Sequence, residues 1–309
     1  MRSKQQNDSG TYIGSCFGQL VLAAVIALTF AASAFAQGGR TVPEPNWTRS
    51  HNYDVQHYRI EVAFDWKEKS VSGKTTITLR PFVNGLKEVE LDAGEMKISA
   101  VALVLPQSTL PLKYNYDGTE VLKVALDRDY PAGRDLKLAV SYSAKPRKGI
   151  SFIAPTAEDP GRPYQIWTQG EAQTNHYWFP CYDYPNDKAT SETLVTVDSK
   201  YQVISNGALL GVKPDPAKKT STWHWKMDQP YSSYLVSVIV GDFDEVKADY
   251  DGIPISSYVQ KGRLSDGKVT LSRIAQMVRF YSEKTGVRYP YAKYAQTTVR
   301  DFGGGMENI

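Results

Sequence analysis

Cysteine and histidine are both scarce here: two cysteines, Cys16 and Cys181, and four histidines in 309 residues. Cys16 falls in a segment expected to be removed on export. The mature chain then keeps only Cys181, and no intrachain disulfide can form, so a core of ordinary size has to hold the fold. The histidines are His51, His57, His176 and His224. They include no His-Glu-x-x-His and no pair at the i, i+4 spacing that sets two imidazoles on one helix face. No zinc site is expected within this chain. His51 and His57 are expected at solvated loop positions, a shared strand face being the alternative. There is no Gly-x-Ser-x-Gly elbow, and Cys181 lacks an obvious histidine partner, which reads as a buried, inert thiol. An excess of one charge is lacking too. The formal net charge is +3, and removing residues 1–36 takes away Arg2, Lys4 and Asp8 and leaves about +2. Without a Lys/Arg cluster, the sequence excludes a nucleic-acid footprint and a basic membrane patch.

One long apolar run is present. Arg2 and Lys4 precede Leu20–Ala32, and Ala34-Phe35-Ala36 gives a small-x-small cleavage site before Gln37. The run is shorter than the ~20 residues a membrane span needs. Residues 1–36 are therefore expected to be a signal peptide and 37–47 a Gly/Pro-containing linker. The mature chain is expected to be exported, periplasmic or extracellular, with no membrane anchor after cleavage.

From His51 the pattern turns to alternation. Tyr58–Phe64 and Lys74–Arg80 alternate apolar and polar residues around a charged turn, a hairpin signal. Further strands are expected at Glu88–Leu91, Ile98–Leu105, Val121–Leu126, Leu136–Tyr142, Ile166–Thr168, Glu192–Val197, Gln202–Ala208, Ser221–Met227 and Tyr234–Val240. Many short strands without an amphipathic helix between them predict a mainly β fold, with an antiparallel β domain over residues 48–245. After that the grammar changes. Ile255–Val259 reads as a strand, and Val269, Ile274, Met277, Val278 and Tyr281 fall at helical spacing in Lys268–Thr285, with Gly286 as the stop. A strand at Ala295–Val299 follows. Residues 246–309 are too few to bury a core of their own and are expected to begin a second, α+β domain, left incomplete.

Two segments stand apart from ordinary structure: Thr168-Gln169-Gly170-Glu171-Ala172 with Trp178–Pro185, and Arg300-Asp301-Phe302-Gly303-Gly304-Gly305-Met306-Glu307-Asn308. Three successive glycines let an extended backbone approach another closely, and a carboxylate two residues on could meet a cation at its end. A Gly-rich surface turn with a solvated Glu is the other reading.

Gly304-Gly305-Met306-Glu307-Asn308 resembles the Gly-x-Met-Glu-Asn exopeptidase motif of the M1 family of zinc aminopeptidases. Gln169-Gly170-Glu171-Ala172, followed by Pro180-Cys181-Tyr182-Asp183-Tyr184-Pro185, is similar to that family's substrate-loop signature. Leu91-Asp92-Ala93 and Tyr289-Pro290-Tyr291 are further echoes, in family order. The resemblance implies a saddle-like β domain followed by a thermolysin-like catalytic domain. It also implies that Gly304, Gly305, Met306, Glu307 and Asn308 border the substrate. Glu307 and Glu171 would bind the free α-amine of a peptide, and Gln169 would line the pocket for its first side chain. Zn2+ would belong to a longer parent whose His-Glu-x-x-His lies downstream, with no cofactor bound and no catalytic residue supplied by this chain. Peptides with a free amino terminus are the implied partners. The alternatives are a non-catalytic peptide- or protein-binding module derived from the family, or an unrelated β-sandwich. Tyr184 stands where the family usually has an acidic residue and Arg300 where Pro is frequent.

Overall fold

The computed structural model describes residues 48–309; the expected signal peptide and linker lie outside the described residues. In β1 (Tyr53–Asp65) the buried side chains are Tyr53 and Val55, then Tyr58, Ile60 and Val62. Odd positions give way to even ones. Strict alternation allows that only if one residue is inserted, and the pairing with β2 (Ser70–Pro81) slips between Val55 and His57. The bulge at Gln56 keeps both halves facing the core. β1 and β2 form the expected antiparallel hairpin.

A large sheet grows around this hairpin. β8 (Leu136–Ala144), β4 (Met96–Val104) and β5 (Thr109–Pro111) follow β2 on one side. On the other, β1 is joined by β11 (Ala189–Asp198), β14 (Thr220–Tyr231) and β13 (Ala208–Asp215). The β1–β11 pair is parallel, an exception to the antiparallel pattern. A parallel neighbour needs a long crossover, and the chain between residues 66 and 188 supplies it. Sharing a core with this sheet are a three-stranded one, β3 (Leu86–Asp92), β7 (Val121–Tyr130) and β6 (Tyr114–Tyr116), and a four-stranded one. The latter runs β12 (Gln202–Ser205), β15 (Val238–Gly241), β10 (Gln165–Thr168), β9 (Ile150–Ile153). Ile60, Ile77, Leu79, Leu91, Leu122, Leu138, Trp178 and Phe179 close one continuous core. At ~1.5–3 kcal/mol for each large apolar side chain fully buried, this cluster dominates the fold.

Two expected strands are corrected. Gln202–Ala208 is broken at Asn206-Gly207, where Gly207 has φ +74° and the chain leaves one sheet for another. The Asn206 side chain holds the break, its Nδ2 donating to Leu235 O at 3.0 Å and its Oδ1 accepting from Ser237 N at 2.7 Å. Tyr234–Val240 is a strand only from Val238, because Ser233–Leu235 forms a 3-10 turn. The expectation for the histidines is corrected in part: His51 does lie in a loop, but its side chain is largely shielded, and His57 is in a strand. His57 lies in β1 with Nδ1 2.7 Å from Thr190 Oγ1, and His51 stacks 4.1 Å from the Tyr182 ring with Nε2 3.0 Å from Asp187 Oδ2. Each imidazole has a polar partner within the protein. Cys181 is fully buried, and burial pushes its thiol pKa well up, leaving it un-ionised.

The last part of the chain makes a smaller sheet, β16 (Phe243–Tyr250), β17 (Ile253–Gln260) and β18 (Tyr294–Thr297), with β17–β18 parallel. β16 begins at Phe243, so residue 245 falls within a strand. The single expected helix is two, α1 (Leu264–Thr270) and α2 (Ile274–Thr285). Ser272 Oγ donates to Val269 O at 3.0 Å, a side-chain bond that competes with the helical ladder at the break. Gly286 ends α2 in the left-handed conformation. Of the expected apolar stripe only Ile274 and Val278 are buried, against Ile255; Val269, Met277 and Tyr281 are exposed. A three-stranded sheet covers one narrow side of the helix and no more. Among the described residues, no helix is long and apolar enough to cross a membrane.

Candidate functional site

β10 delivers the first site segment. All four of its residues are buried, and Thr168 Oγ1 accepts a hydrogen bond from Val238 N at 2.9 Å. The chain then turns on itself. Gln169 N donates to Gly149 O at 2.9 Å, while Thr174 N and Oγ1 return to Gly170 O at 2.9 Å and Gln169 O at 2.8 Å. Fully buried Asn175 fastens this loop to the 3-10 turn by donating from Nδ2 to Ser233 O at 2.7 Å and Val236 O at 3.0 Å. The peptide Glu171–Ala172 is cis.

Gly170 is required by this packing. A Cβ there would lie 2.2 Å from Tyr234 O and 2.6 Å from Asn175 Nδ2, both of them fixed groups. Gly170→Ala is expected to destabilise the chain by about 1–3 kcal/mol, the range for overpacking. Urea unfolding checks it; an unchanged midpoint would show that the loop yields freely.

The second segment docks on β10 from the far end of the chain. Trp167 Nε1 donates to Arg300 O at 3.0 Å, Arg300 N donates to Gln165 Oε1 at 2.9 Å, and the Trp167 and Phe302 rings lie 5.4 Å apart. Arg162 pairs with Asp301, and Arg300 with Asp159 at 2.9 Å. Beyond this anchor, Gln169 Nε2 lies 3.7 Å from Met306 Sδ. The Tyr234 hydroxyl donates to Glu307 Oε1 at 3.4 Å. A Cβ on Gly305 would meet nothing within 4 Å, and one on Gly304 only the edge of Phe302 at 3.9 Å. Internal packing does not demand glycine at either position, and the space beside them is open.

Gln169, Gly304, Gly305, Met306, Glu307 and Asn308 line one cleft of about 550 Å³. Glu171 does not line it. Glu171 is exposed on the loop that packs against Tyr234, and its charge is felt there. Burial first, then Glu307, then Glu171 raise the Tyr234 phenol pKa above its ordinary 10. Sequence reasoning placed Tyr234 in a strand and missed it; its spacing carries no signal. Lys293 was missed as well. Its Nζ donates to Ser205 O at 2.7 Å and lies 4.9 Å from the Trp225 ring centroid, and burial lowers its pKa to about 8.

The four histidines are committed elsewhere. His176 sits between Asp183 and Glu120, His224 and His57 beside Glu192, and His51 against Asp187. None lines the cleft. Among the described residues there is no cluster of three or more His, Cys, Asp or Glu able to hold a metal. The residues present do not fit a zinc ion at this cleft.

The Peptidase M1 N-terminal domain model matches residues 54–235. The chain belongs to the M1 peptidase family. This M1 chain is 31% identical over 257 residues to a probable aminopeptidase 2 of Sulfurisphaera tokodaii, covering 82% of the chain and 30% of that protein. It is also 27% identical over 172 residues to transcription initiation factor TFIID subunit 2 of Drosophila melanogaster, over 54% of the chain and 14% of that protein. The M1 chain thus spans less than a third of the length of these relatives. Its fold matches that of an M1 zinc metallopeptidase mutant from Deinococcus radiodurans, bound to a Tyr-Ser-Ala substrate. The TM-score is 0.70 at 21% identity, over 84% of this chain and 59% of that one.

Proposed function

We propose that this chain is the amino-terminal portion of an exported zinc aminopeptidase and supplies the residues that read a peptide's free amine. One observation carries the reading. Segments some 135 residues apart in sequence meet, with Gln169 on Met306 and the Glu307 carboxylate brought to the tyrosine against which the Glu171 loop packs. An ammonium between two carboxylates makes charge-assisted hydrogen bonds. A peptide bond in mid-chain has no such charge and leaves both carboxylates unmatched, which is how a site rejects internal cleavage. The open space beside Gly304 and Gly305 suits an extended peptide backbone. Zinc and bond cleavage belong, on this reading, to the longer protein, since no histidine of this chain reaches the cleft.

The test uses the full chain and two probes, Tyr-Ser-Ala and its N-acetylated form, titrated by calorimetry. The free peptide is expected to bind about ten- to hundredfold more tightly, the worth of one or two charged hydrogen bonds. Equal affinities would sink the reading. The chain alone is expected to release no amino-terminal residue with or without zinc, and turnover that survives purification controls would overturn that part.

A second reading, a non-catalytic binding module, is favoured by the match to a protein named for transcription initiation. It is the reading left standing if both peptides bind equally.

A further inference from the structure

The two carboxylates assigned to amine binding come from different parts of the chain, and neither makes a salt bridge with a described lysine or arginine. Glu171 rides on a surface loop and Glu307 on an exposed segment with open glycines behind it. Something has to set their separation. The 3-10 turn Ser233–Leu235 touches both sides. On the loop side, its backbone is gripped by Asn175 through Ser233 O and Val236 O, and Gly170 lies so close to Tyr234 O that no side chain fits between them. Below, Ser233 Oγ donates to Asp183 Oδ1 at 2.9 Å, tying the turn to the buried polar layer of the β domain. On the other side, the Tyr234 hydroxyl donates to Glu307 Oε1. The Tyr234 ring is half-buried against the main core, so its hydroxyl projects from a fixed base.

We propose that Tyr234 is a positioning residue that holds Glu307 beside the Glu171 loop, so that the Glu307 carboxylate is presented to a primary ammonium in the cleft. This rests on the amine-recognition reading above. A hydroxyl suits the task. It donates to one oxygen of Glu307, adds no charge to compete with the ligand, and leaves the other carboxylate oxygen free to accept from the ammonium. A lysine or arginine in its place would neutralise the carboxylate it was meant to present. The raised phenol pKa keeps the proton on the hydroxyl, and with it the donor role, throughout the neutral range.

The test is a double-mutant cycle on the full chain, read as affinity for Tyr-Ser-Ala and for its N-acetylated form. Tyr234→Phe keeps the ring and removes the donor. It is expected to weaken binding of the free peptide about three- to tenfold and to leave binding of the acetylated peptide and the unfolding midpoint unchanged. In a Glu307→Gln background the same change is expected to have no further effect, because Tyr234 acts through Glu307. A purely structural role would move both peptides together. Should the Phe variant fail to fold, Tyr234→Leu serves the same comparison. If the unaltered chain prefers the free peptide but Tyr234→Phe binds it as well as before, or loses affinity equally in both backgrounds, the positioning role is overturned while the amine site stands. If the unaltered chain shows no preference for the free peptide, the amine site itself fails and this inference goes with it.

Discussion

Asp183→Ala is expected to lower the stability of the chain by about 3–5 kcal/mol, the cost of stripping one partner from a buried charged pair. Asp183 is almost fully buried, and both its carboxylate oxygens and its own N–H have hydrogen-bond partners. Its Oδ2 accepts from His176 N at 3.1 Å and lies 2.8 Å from His176 Nδ1; its Oδ1 accepts from Ser233 Oγ. Its own N–H donates to Asp92 Oδ2 at 2.8 Å, and Asp92 in turn pairs with Arg49 at 2.7 Å. Alanine removes the acceptor of the His176 N–H, of its Nδ1 and of the Ser233 hydroxyl, and leaves the imidazole only Glu120, 2.9 Å from Nε2.

The pH dependence gives that prediction a second reading. Burial alone lowers the pKa of His176, but the Asp183 carboxylate, with smaller help from Asp92 and Glu120, outweighs it and leaves the pKa above 6.5. A group whose folded pKa is raised contributes stability that is complete below its unfolded pKa, near 6.5, and is lost as pH climbs through the higher folded value. The unaltered chain should therefore lose stability on going up through that window. Asp183→Ala should remove most of the slope. Urea unfolding at a series of pH values from 6 to 8.5 measures both. A variant whose deficit is the same at every pH would show that His176 does not hold its charge for Asp183.

Local signals were legible and distant ones were not. The β1–β2 hairpin could be read because alternation and a charged turn lie within 25 residues of one another. The parallel neighbour β11 could not, since its partner lies on the far side of the whole crossover and no local pattern encodes it. Tyr234–Val240 looks like a strand by composition, yet the two hydrogen bonds from Asn175, 58 and 61 residues upstream, hold its first part as a turn. α2 shows the converse. Its apolar spacing is real, but only Ile274 and Val278 find a sheet to pack on. In the site, Gln169 and Gly304–Asn308 were recognised by resemblance to M1 motifs, and the structure brings them to one cleft. Their separation in sequence gave no hint of that contact. Glu171 stands outside the cleft lining, reached through Tyr234, a residue with no motif to mark it.

In the longer aminopeptidase that the proposed function requires, Glu307→Gln is expected to cut kcat/KM for peptides with a free amine about ten- to hundredfold. Glutamine keeps the size and one carbonyl acceptor and removes the charge, so the loss isolates the ionic part of the contact. Glu307 is exposed in this chain, and its pull on an ammonium is modest while water surrounds it. On the proposed reading, a bound peptide would supply the missing desolvation by covering the carboxylate as it fills the cleft beside Gly304 and Gly305, which would strengthen the contact in the complex. Glu171→Gln should cost less, because that carboxylate lies off the cleft lining and remains open to solvent. The two variants therefore rank the carboxylates by geometry. Steady-state rates on Tyr-Ser-Ala and its acetylated form decide the matter. A Glu307→Gln enzyme with unchanged kinetics, or one equally impaired on both peptides, would strip Glu307 of the amine-reading role.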